Sequence, residues 1–564
     1  MNRRRRSSLF VGLFVAGVLT VFMNTPSLST LLTVPGSSTL HMDTADQDRA
    51  YYLSRIKQAS EGHWLIGNSA LYEHRLAVSP NGFVETATAA LMRITNLSLA
   101  SAVLVTNLLL PFLILALTYF WMERILRSRL LTIASLLTTW FALFGPLGLL
   151  RESSPKVTLL FPSLYLTALF CMREGRLQRV VRGSLIGLMM YTYHYHWTLL
   201  FVFEGLLILR ALFLERRPLL RTIREELWVW VPLILIALPY GFRLFSLQGD
   251  PIAADMWRRF GMIETHLPTA PLLQFSTLCW IAALTTLRLT SIKRDRESLL
   301  LLLLLIAGLV AVNSNVFSGR EAEFEGHYGR IIRFFSWTAL FLCIGTLLEK
   351  GWIQRLAGIT IVVVGLNAVL ALPGLIQAAE TTEQAWQASG KQEILDWLSA
   401  NTPQDSVILA PFSLASLVPV FTHDYVFMNY AARSFSVSDQ ELLDRYIVQI
   451  AFFPEDSESI DTGVQSVFGN FPGSTYSKTK RIEQIRTLFR KPFTKTIADF
   501  IPDQEKRTLL ERVLKNPDPA LALQKLQQFR LDYLVSTDPL PRTLSRNFKE
   551  MARVGDYTVF QLVR

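Results

Sequence analysis

The sequence predicts an α-helical polytopic membrane protein of about eleven spanning helices, followed by an extracytoplasmic α/β domain. Three observations predict this class. The chain of 564 residues is 51% hydrophobic and only 18% charged. Long apolar runs such as 101–122 and 298–312 suit a bilayer core, which takes roughly 20 apolar residues per helix. From residue 377 onward, helical segments alternate with short β-rich runs, which is typical of an α/β domain. A helix–turn–strand pattern is predicted over 391–412 and repeats over 521–537.

Basic residues indicate which loops face the cytoplasm. The chain begins with Arg3 to Arg6 and an apolar stretch, which we interpret as an uncleaved first helix with its arginines in the cytoplasm. Alternate loops should then be basic. The loops that fit lie at 122–130, 173–182, 214–225, 293–296 and 349–355. We therefore expect an integral plasma-membrane protein with a cytoplasmic amino terminus and an extracytoplasmic carboxyl-terminal domain.

The same distribution of charge excludes other classes. The net charge of +11 does not indicate a nucleic-acid partner, because the basic residues lie in short loops between apolar runs. The cysteines, Cys171, Cys279 and Cys343, all lie in or beside apolar runs. The hydrophilic regions therefore contain neither a disulfide framework nor a cysteine-based zinc site.

Hydropathy and loop charge together place the spanning helices and the domain boundary. The predicted spans lie near 8–24, 98–121, 130–150, 157–172, 178–193, 196–214, 227–246, 270–288, 298–313, 332–348 and 356–374. The predicted domains are a membrane domain over 1–376 and an extracytoplasmic α/β domain over 377–564.

The first outer loop, 25–97, is too long for a simple connector, and loops of this length are usually functional. A helix is predicted over 47–60 and a short amphipathic helix over 83–95. Asp43, Asp46 and Asp48 collect at the start of the first of these helices. Aspartates also cap helix amino termini, and that interpretation fits Asp43 or Asp46 best. Asp48 is the first candidate for catalysis and Asp46 the second.

Polar residues also cluster at the predicted outer ends of the spans, where ionisable groups mark a functional site. The candidates for a phosphate contact are Arg151, Lys156, Arg330 and Arg333, and the further cavity candidates are Asp43, Tyr52, Glu152, His194, His196 and His327. Each set has a plainer alternative. The segment 151–156 fits an ordinary polar turn, the two histidines at 194 and 196 fit an interfacial aromatic belt, and 327–333 fits lipid-headgroup anchoring.

These residue types match the transfer of a group from a lipid phosphate. A carboxylate can accept a proton from the hydroxyl of an acceptor. Arginine and lysine can stabilise the departing phosphate as its charge grows. A mobile outer loop could bind and release the lipid.

The residues around Asp48 resemble the GT-C superfamily of membrane glycosyltransferases, which includes aminoarabinose transferases, protein O-mannosyltransferases and oligosaccharyltransferases. The match follows the first span and reads Asp48-Arg49-Ala50-Tyr51-Tyr52, then Gly62-His63-Trp64. In the aminoarabinose-transferase type, an Asp-Glu pair begins this stretch and the aspartate is catalytic. By that register Asp48 takes the catalytic position, and Arg49 stands where the glutamate would be.

The resemblance implies a glycosyltransferase that moves a sugar from a polyprenyl-phosphate donor to a lipid, glycan or protein acceptor at the outer face, by a single inverting displacement. Membrane lipids are further expected partners. A second register reads Asp46-Gln47-Asp48 as the acidic D-x-D motif of oligosaccharyltransferases. That register implies a divalent metal on Asp46 and Asp48, and carboxylates favour Mg²⁺ or Mn²⁺.

Two functions of other classes stay open at this point. A transporter or flippase of lipid-linked saccharides would carry charged or helix-breaking residues midway through several spans, and Glu204 is the chief such residue. A non-catalytic membrane scaffold would use the outer domain to hold partners, and its acidic loop would be free to vary.

Overall fold

The structure is a computed structural model, and its architecture is mainly helical. It describes residues 3–37, 47–77, 82–144, 158–247, 249–264, 266, 296–321, 325–456, 460–469, 472–473, 475–476, 479–480, 500–501, 503–540 and 542–563.

The helices of the first half belong to the first outer loop and to the spans of the amino-terminal half. They are α1 (Arg3–Thr33), α2 (Gln47–Ser60), α3 (Phe83–Thr95), α4 (Leu99–Leu126), α5 (Arg129–Phe144), α6 (Leu160–Cys171), α7 (Arg176–Met190), α8 (His194–Leu209), α9 (Leu219–Ser246) and α10 (Pro251–Arg259). A π-helical turn, Arg210–Leu214, extends α8.

The second half contains the remaining spans and the carboxyl-terminal part. Its helices are α11 (Arg296–Val312), α12 (Asn315–Ser318), α13 (Glu325–Leu347), α14 (Lys350–Ala388), α15 (Lys391–Asn401), α16 (Phe412–Ala415), α17 (Val418–Phe421), α18 (Asp439–Phe452), α19 (Ile460–Phe468), α20 (Gln504–Lys515), α21 (Pro519–Leu526) and α22 (Arg542–Ser545). The strands are β1 (Ile263–Glu264), β2 (Arg320–Glu321), β3 (Val407–Leu409), β4 (Tyr425–Val426), β5 (Tyr533–Ser536), β6 (Phe548–Val554) and β7 (Tyr557–Leu562).

Seven helices in the described part of the chain are long and apolar enough to cross a membrane. They lie at Ser7–Thr33, Leu99–Leu126, His194–Leu214, Leu219–Ser246, Arg296–Ser318, His327–Leu347 and Lys350–Ala388. Shorter helices, α5 to α7, occupy the predicted third, fourth and fifth spans. The predicted span near 270–288 lies outside the described residues. A helical membrane protein is thus confirmed, and the count of eleven stays a prediction.

Two glycines allow α7 and α9 to pack closely. A Cβ atom at Gly183 would lie 2.0 Å from the carbonyl oxygen of Val229, and one at Gly187 would lie 2.9 Å from the Cβ of Ile236. Glycines four residues apart lie on one helix face, and in membrane helices this spacing lets two backbones approach. The sequence thereby fixes where these two helices meet.

Contacts between loops match the alternation of the spans that the charge pattern predicts. Glu297 at the start of α11 lies 3.0 Å from Arg124 near the end of α4, and Glu225 of α9 lies 2.9 Å from Arg179 of α7. All four residues lie in or beside loops predicted to be cytoplasmic. The antiparallel pair of β1 and β2 joins two loops predicted to be outside. Which end faces the cytoplasm stays a prediction.

The carboxyl-terminal part contains a five-stranded sheet in the order β4-β3-β5-β7-β6. Strands β4, β3 and β5 are parallel, and β7 is antiparallel to β5 and β6. The helix–turn–strand pattern predicted at 391–412 corresponds to α15 and β3, and its repeat at 521–537 corresponds to α21 and β5. The division predicted at residue 376 falls inside α14, which continues without interruption to Ala388.

The first outer loop packs against this carboxyl-terminal part. Its helices α2 and α3 coincide with the ranges predicted from the sequence. Leu53, Ile56 and Leu71 belong to the same buried cluster as Val426 of β4. The N–H of Val426 also donates to the carbonyl of Ala70 at 2.8 Å, so the loop extends the edge of the sheet. This packing fixes the helix that carries Asp48.

Candidate functional site

One face of α2 gathers the residues of the motif around Asp48. Tyr51 and Tyr52 follow Asp48 by three and four residues, and Arg55 follows them by four and three, which places all four positions on one stripe of the helix. Only the backbone of Asp48 is described. The rings of Tyr51 and Tyr52 lie 5.2 Å apart, and Tyr51 also contacts Phe435 of the carboxyl-terminal part at 5.3 Å. The stripe therefore faces protein.

A buried ion pair joins this stripe to α3. The Nε atom of Arg55 lies 3.1 Å from Oε1 of Glu85, and the two residues are 2% and 3% exposed. Arg55 also donates to the hydroxyl of Tyr51 and lies over its ring. Burial raises the pKa of the Glu85 carboxyl, and the Arg55 guanidinium opposes that shift. The pair sets the position of α2 on α3.

A second buried charge holds the loop between α2 and α3. Arg445 of α18 is fully buried and donates to Glu73 at 2.7 Å, to Glu441 at 2.9 Å and to the carbonyl of Phe427 at 2.9 Å. His74 lies 2.8 Å from the other oxygen of the Glu441 carboxylate. The loop is therefore bound to the carboxyl-terminal part through paired charges.

The pKa of Glu73 reflects this arrangement. Burial acts to raise the pKa, but the Arg445 guanidinium and the backbone N–H of Arg530, which donates at 3.0 Å, lower it below its ordinary value. Glu73 is thus ionised at neutral pH, as the ion pair requires.

The helix α10 makes a third such contact. Arg259 lies 2.6 Å from the carboxylate of Asp439 at the start of α18, and it donates to the carbonyls of Arg433, Phe435 and Val437. Both charged side chains are buried. The carboxyl-terminal part is therefore also bound to the segment that follows α9.

Aromatic and histidine side chains gather where α8 begins and α13 approaches it. The buried ring of His196 lies 2.9 Å, through Nδ1, from the carbonyl of Thr158. The hydroxyl of Tyr193 contacts Nδ1 of His327, and their rings stack 5.6 Å apart. Tyr195 packs edge-on against His327 at 5.3 Å. These contacts join three segments predicted to meet on the outside.

The two clusters are neighbours in the fold. The ring of Phe83, at the start of α3, lies 6.0 Å from that of Phe161 in α6. Phe161 follows Thr158 by three residues, and the carbonyl of Thr158 contacts His196. The helix of Asp48, its partner α3 and the aromatic cluster thus form one region, which we call the outer site. Several segments that adjoin the outer site along the chain lie outside the described residues.

Some predicted site residues are described and others are not. Asp43, Asp46, Arg151, Glu152 and Lys156 lie outside the described residues. For Arg330, as for Asp48, only the backbone is described.

Four predicted residues whose side chains are described belong to the outer site, namely Tyr52, His194, His196 and His327, and a fifth, Arg333, lies further along α13. Arg333 is exposed on α13, and Tyr52 is half-buried on α2. His194 packs against Tyr195 and Trp197 in the first turn of α8. His196 and His327 lie together through Tyr193, and a functional role for these histidines stays a prediction.

The predicted metal site stays a prediction. Within the described ranges, no group of three or more histidine, cysteine, aspartate or glutamate side chains could hold a metal ion. The proposed ligands Asp46 and Asp48 are not among the described side chains, so this absence does not bear on them. Carboxylates of this kind would suit Mg²⁺ or Mn²⁺.

A polar triad inside the bundle was not predicted. Glu204 of α8 is completely buried and accepts hydrogen bonds from the Tyr165 hydroxyl at 2.5 Å and from Arg182 at 3.1 Å. The sequence singled out Glu204 as a charge within a span. A partner for it could have been sought among the arginines of the adjacent predicted spans, since buried charges are almost always paired.

The pairs that hold the outer loop were also missed. The pair of Glu73 and Arg445 bridges 372 residues of chain, and no local pattern reveals it. Glu85 gave no signal either, because an acidic residue in the first turn of a helix is common and needs no buried partner.

Comparison with known proteins gives a likeness to solved structures alone. No family model and no curated protein matches the chain. The crystal structure of ArnT from Cupriavidus metallidurans bound to undecaprenyl phosphate is 13% identical, with a TM-score of 0.44 over 97% of this chain and 98% of that chain. The apo state of ArnT is 14% identical, with a TM-score of 0.46 over the same shares. ArnT is a GT-C aminoarabinose transferase, the type that the motif around Asp48 resembles. A likeness at this TM-score assigns no role to any residue.

Proposed function

We propose that the protein is a GT-C-like glycosyltransferase that passes a sugar from a polyprenyl-phosphate donor to an acceptor at the outer face of the membrane. The acceptor hydroxyl attacks the anomeric carbon of the sugar, and the bond from that carbon to the phosphate oxygen breaks. The proton of the hydroxyl passes to the carboxylate of Asp48, and the polyprenyl phosphate leaves. One displacement of this kind inverts the anomeric centre.

The observation that carries this proposal is the attachment of the acidic helix. The stripe of α2 that includes position 48 is held by the buried pair of Arg55 and Glu85, and the loop that follows is held by Arg445. Catalysis requires a base whose position is fixed to within a fraction of an ångström, and positioning through packed and hydrogen-bonded neighbours supplies this. A loop that only connected two spans would need no such buried charges.

Basic residues predicted near the outer ends of the spans would bind the departing phosphate. Arg333 lies on the exposed side of α13, six residues after His327 of the aromatic cluster. A guanidinium can donate two parallel hydrogen bonds to a phosphate, and its attraction grows as negative charge develops on the leaving oxygen. We assign the same role to Arg330, Lys156 and Arg151.

The donor class follows from the motif around Asp48. ArnT holds undecaprenyl phosphate in its crystal structure, and that lipid belongs to the polyprenyl phosphates. Tyr193, Tyr195 and Trp197 at the outer site present aromatic faces beside hydrogen-bonding groups. Such surfaces suit a sugar, which has apolar C–H faces and polar hydroxyls.

The alternative of a transporter or flippase is less well supported. It predicts charges or helix breaks midway through several spans. Glu204 is such a charge, but Arg182 and Tyr165 satisfy it within the bundle. The prolines inside α4, α9 and α14 leave those helices continuous.

Turnover by the purified full chain tests the proposal. The protein in detergent would be incubated with a panel of polyprenyl-phosphate sugars, and release of the free polyprenyl phosphate would be followed by mass spectrometry. We expect release from at least one donor, accelerated by an acceptor. Transmembrane movement of labelled donors in proteoliposomes, with every donor left intact, would instead establish the transporter.

A further inference from the structure

A polar cavity opens at the end of the bundle opposite the outer site. Its volume is about 150 Å³, and five arginines and three glutamates contribute to its lining. The arginines come from α7, the π-helical turn after α8, the loop before α9 and the start of α11, and they include Arg182, Arg217 and Arg296. Leu169, Leu207 and other apolar side chains form the rest of the wall. The cavity therefore joins a cationic mouth to an apolar interior.

The cavity contains an unsatisfied donor and an unsatisfied acceptor. Arg182 is 5% exposed and donates from Nη2 to the Glu204 carboxylate at 3.1 Å. Its buried Nε–H has no acceptor among the described residues. On another wall, the buried Oε2 of Glu226 has no donor among them. Buried polar atoms are almost always hydrogen-bonded in proteins, so each of these atoms indicates a bound partner.

The two atoms together define the chemistry of that partner. The guanidinium needs an acceptor, which an anionic phosphate oxygen provides best. The carboxylate of Glu226 needs an N–H or O–H donor. A phospholipid headgroup offers both an anionic phosphate and such a donor. It also suits the position of the cavity, which lies at the end of a membrane bundle, has an apolar wall and is lined by more arginines than glutamates.

We propose that this cavity binds the headgroup of a glycerophospholipid that bears a hydrogen-bond donor, with its phosphate at Arg182 and its ammonium at Glu226. Other arginines of the lining are partly occupied, since Arg217 contacts Glu215 at 2.6 Å and Arg296 contacts Glu174 at 3.6 Å. Those pairs hold the mouth of the cavity in place. This site is independent of the sugar transfer proposed at the outer site.

A matched pair of lipids tests the proposal. Delipidated full-length protein would be titrated with phosphatidylethanolamine and with phosphatidylcholine of the same acyl chains, and bound lipid would be counted by native mass spectrometry. The two lipids differ only in methylation of the ammonium, which removes its N–H donors. We expect phosphatidylethanolamine to bind about tenfold more tightly, the effect of one hydrogen bond to a charged group.

Two substitutions locate the site. Arg182→Lys keeps a cation beside Glu204 but removes the Nε–H. Glu226→Gln removes the carboxylate from the other wall. If one variant fails to fold, the other still tests the proposal. Glu226→Gln should abolish the preference for phosphatidylethanolamine, and Arg182→Lys should weaken the binding of both lipids. Arg224→Gln, at an exposed position of α9 outside the lining, is the matched control and should keep both the preference and the affinity.

Three results would overturn the proposal. Equal binding of the two lipids by the parent protein would mean that water alone fills the cavity. A preference that survives in Glu226→Gln, or an unchanged affinity in Arg182→Lys, would place the lipid elsewhere. Displacement of the lipid by millimolar inorganic phosphate would make free phosphate, rather than a lipid, the ligand.

Discussion

The guanidinium of Arg445 lies 2.7 Å from the carboxylate of Glu73, and this contact ties the first outer loop to the carboxyl-terminal part. Arg445 is fully buried, and Glu441 and the carbonyl of Phe427 share its donors. Because α2 precedes this loop and also packs on α3 through Arg55, the helix of Asp48 is fixed from two sides.

Replacing Arg445 should destabilise this attachment. Arg445→Met leaves Glu73 and Glu441 without their buried cation, and breaking a buried ion pair costs about 3–5 kcal/mol. We expect the thermal unfolding midpoint of the purified protein to fall clearly. Arg507→Met is the control, because its pair with Glu511 is a partly exposed contact within one helix. Such a pair contributes under about 1 kcal/mol, so equal effects of the two substitutions would contradict the role given to Arg445.

Replacing Arg333 should weaken donor binding. Arg333→Gln removes a charged donor that we assign to the donor phosphate, and one hydrogen bond to a charged group is worth about 1.5–3 kcal/mol. We expect KM for the polyprenyl-phosphate donor to rise by about tenfold to a hundredfold. Arg355→Gln, exposed at the opposite end of the bundle, should leave KM unchanged. An unchanged KM in Arg333→Gln would remove Arg333 from the phosphate site.

Asp424 should make the stability of the carboxyl-terminal part depend on pH. Asp424 is 3% exposed and accepts a hydrogen bond from Thr402 at 2.7 Å, and burial raises its pKa to about 6. An acid whose pKa is higher in the folded state binds its proton more tightly there. Folding is therefore favoured below the unfolded pKa, and this advantage is lost as pH rises through about 6.

Asp424→Asn should remove this dependence. The unfolding midpoint of the variant should exceed that of the parent by more at pH 8 than at pH 4, because at pH 8 the parent must bury an ionised carboxylate. Asp396→Asn, at an exposed position of α15, should show no such trend. A difference between Asp424→Asn and the parent that is constant with pH would mean that Asp424 is not protonated near pH 6.

The triad inside the bundle should contribute to stability and not to turnover. Glu204→Leu leaves Arg182 unpaired in the bundle and should cost about 3–5 kcal/mol. Because hydrophobic replacement of a whole buried pair is often neutral, the double variant with Arg182→Leu should recover much of that loss. Donor turnover per folded molecule should equal that of the parent. Lost turnover in a stable double variant would favour a role for Glu204 in transport or catalysis.

Local patterns predicted the elements of the fold well. The ranges predicted for α2 and α3, 47–60 and 83–95, agree with the structure. The repeated helix–turn–strand pattern of the carboxyl-terminal part also corresponds to α15–β3 and α21–β5. The residues that produce amphipathic periodicity and turns are close neighbours along the chain, so the sequence alone is enough to predict these elements.

The partners of the buried charges could not be predicted in the same way. The pair of Glu73 and Arg445 depends on how two distant segments pack, and neither neighbourhood shows it. Sequence reasoning therefore found the helix of Asp48 but not the contacts that hold it. The roles of Asp43, Asp46, Arg151, Glu152 and Lys156 stay predictions, since these residues lie outside the described ones.

The central claim is that Asp48 is the base of the transfer, and one comparison tests it most directly. Donor turnover would be measured for purified Asp48→Asn and Asp46→Asn beside the parent, at equal folded concentration. Asparagine keeps the size of aspartate and also caps helices, so folding should be unaffected. Loss of a general base costs about 10²–10⁴ in rate, so turnover should fall by that factor in Asp48→Asn and remain in Asp46→Asn. Full turnover by Asp48→Asn would contradict the claim.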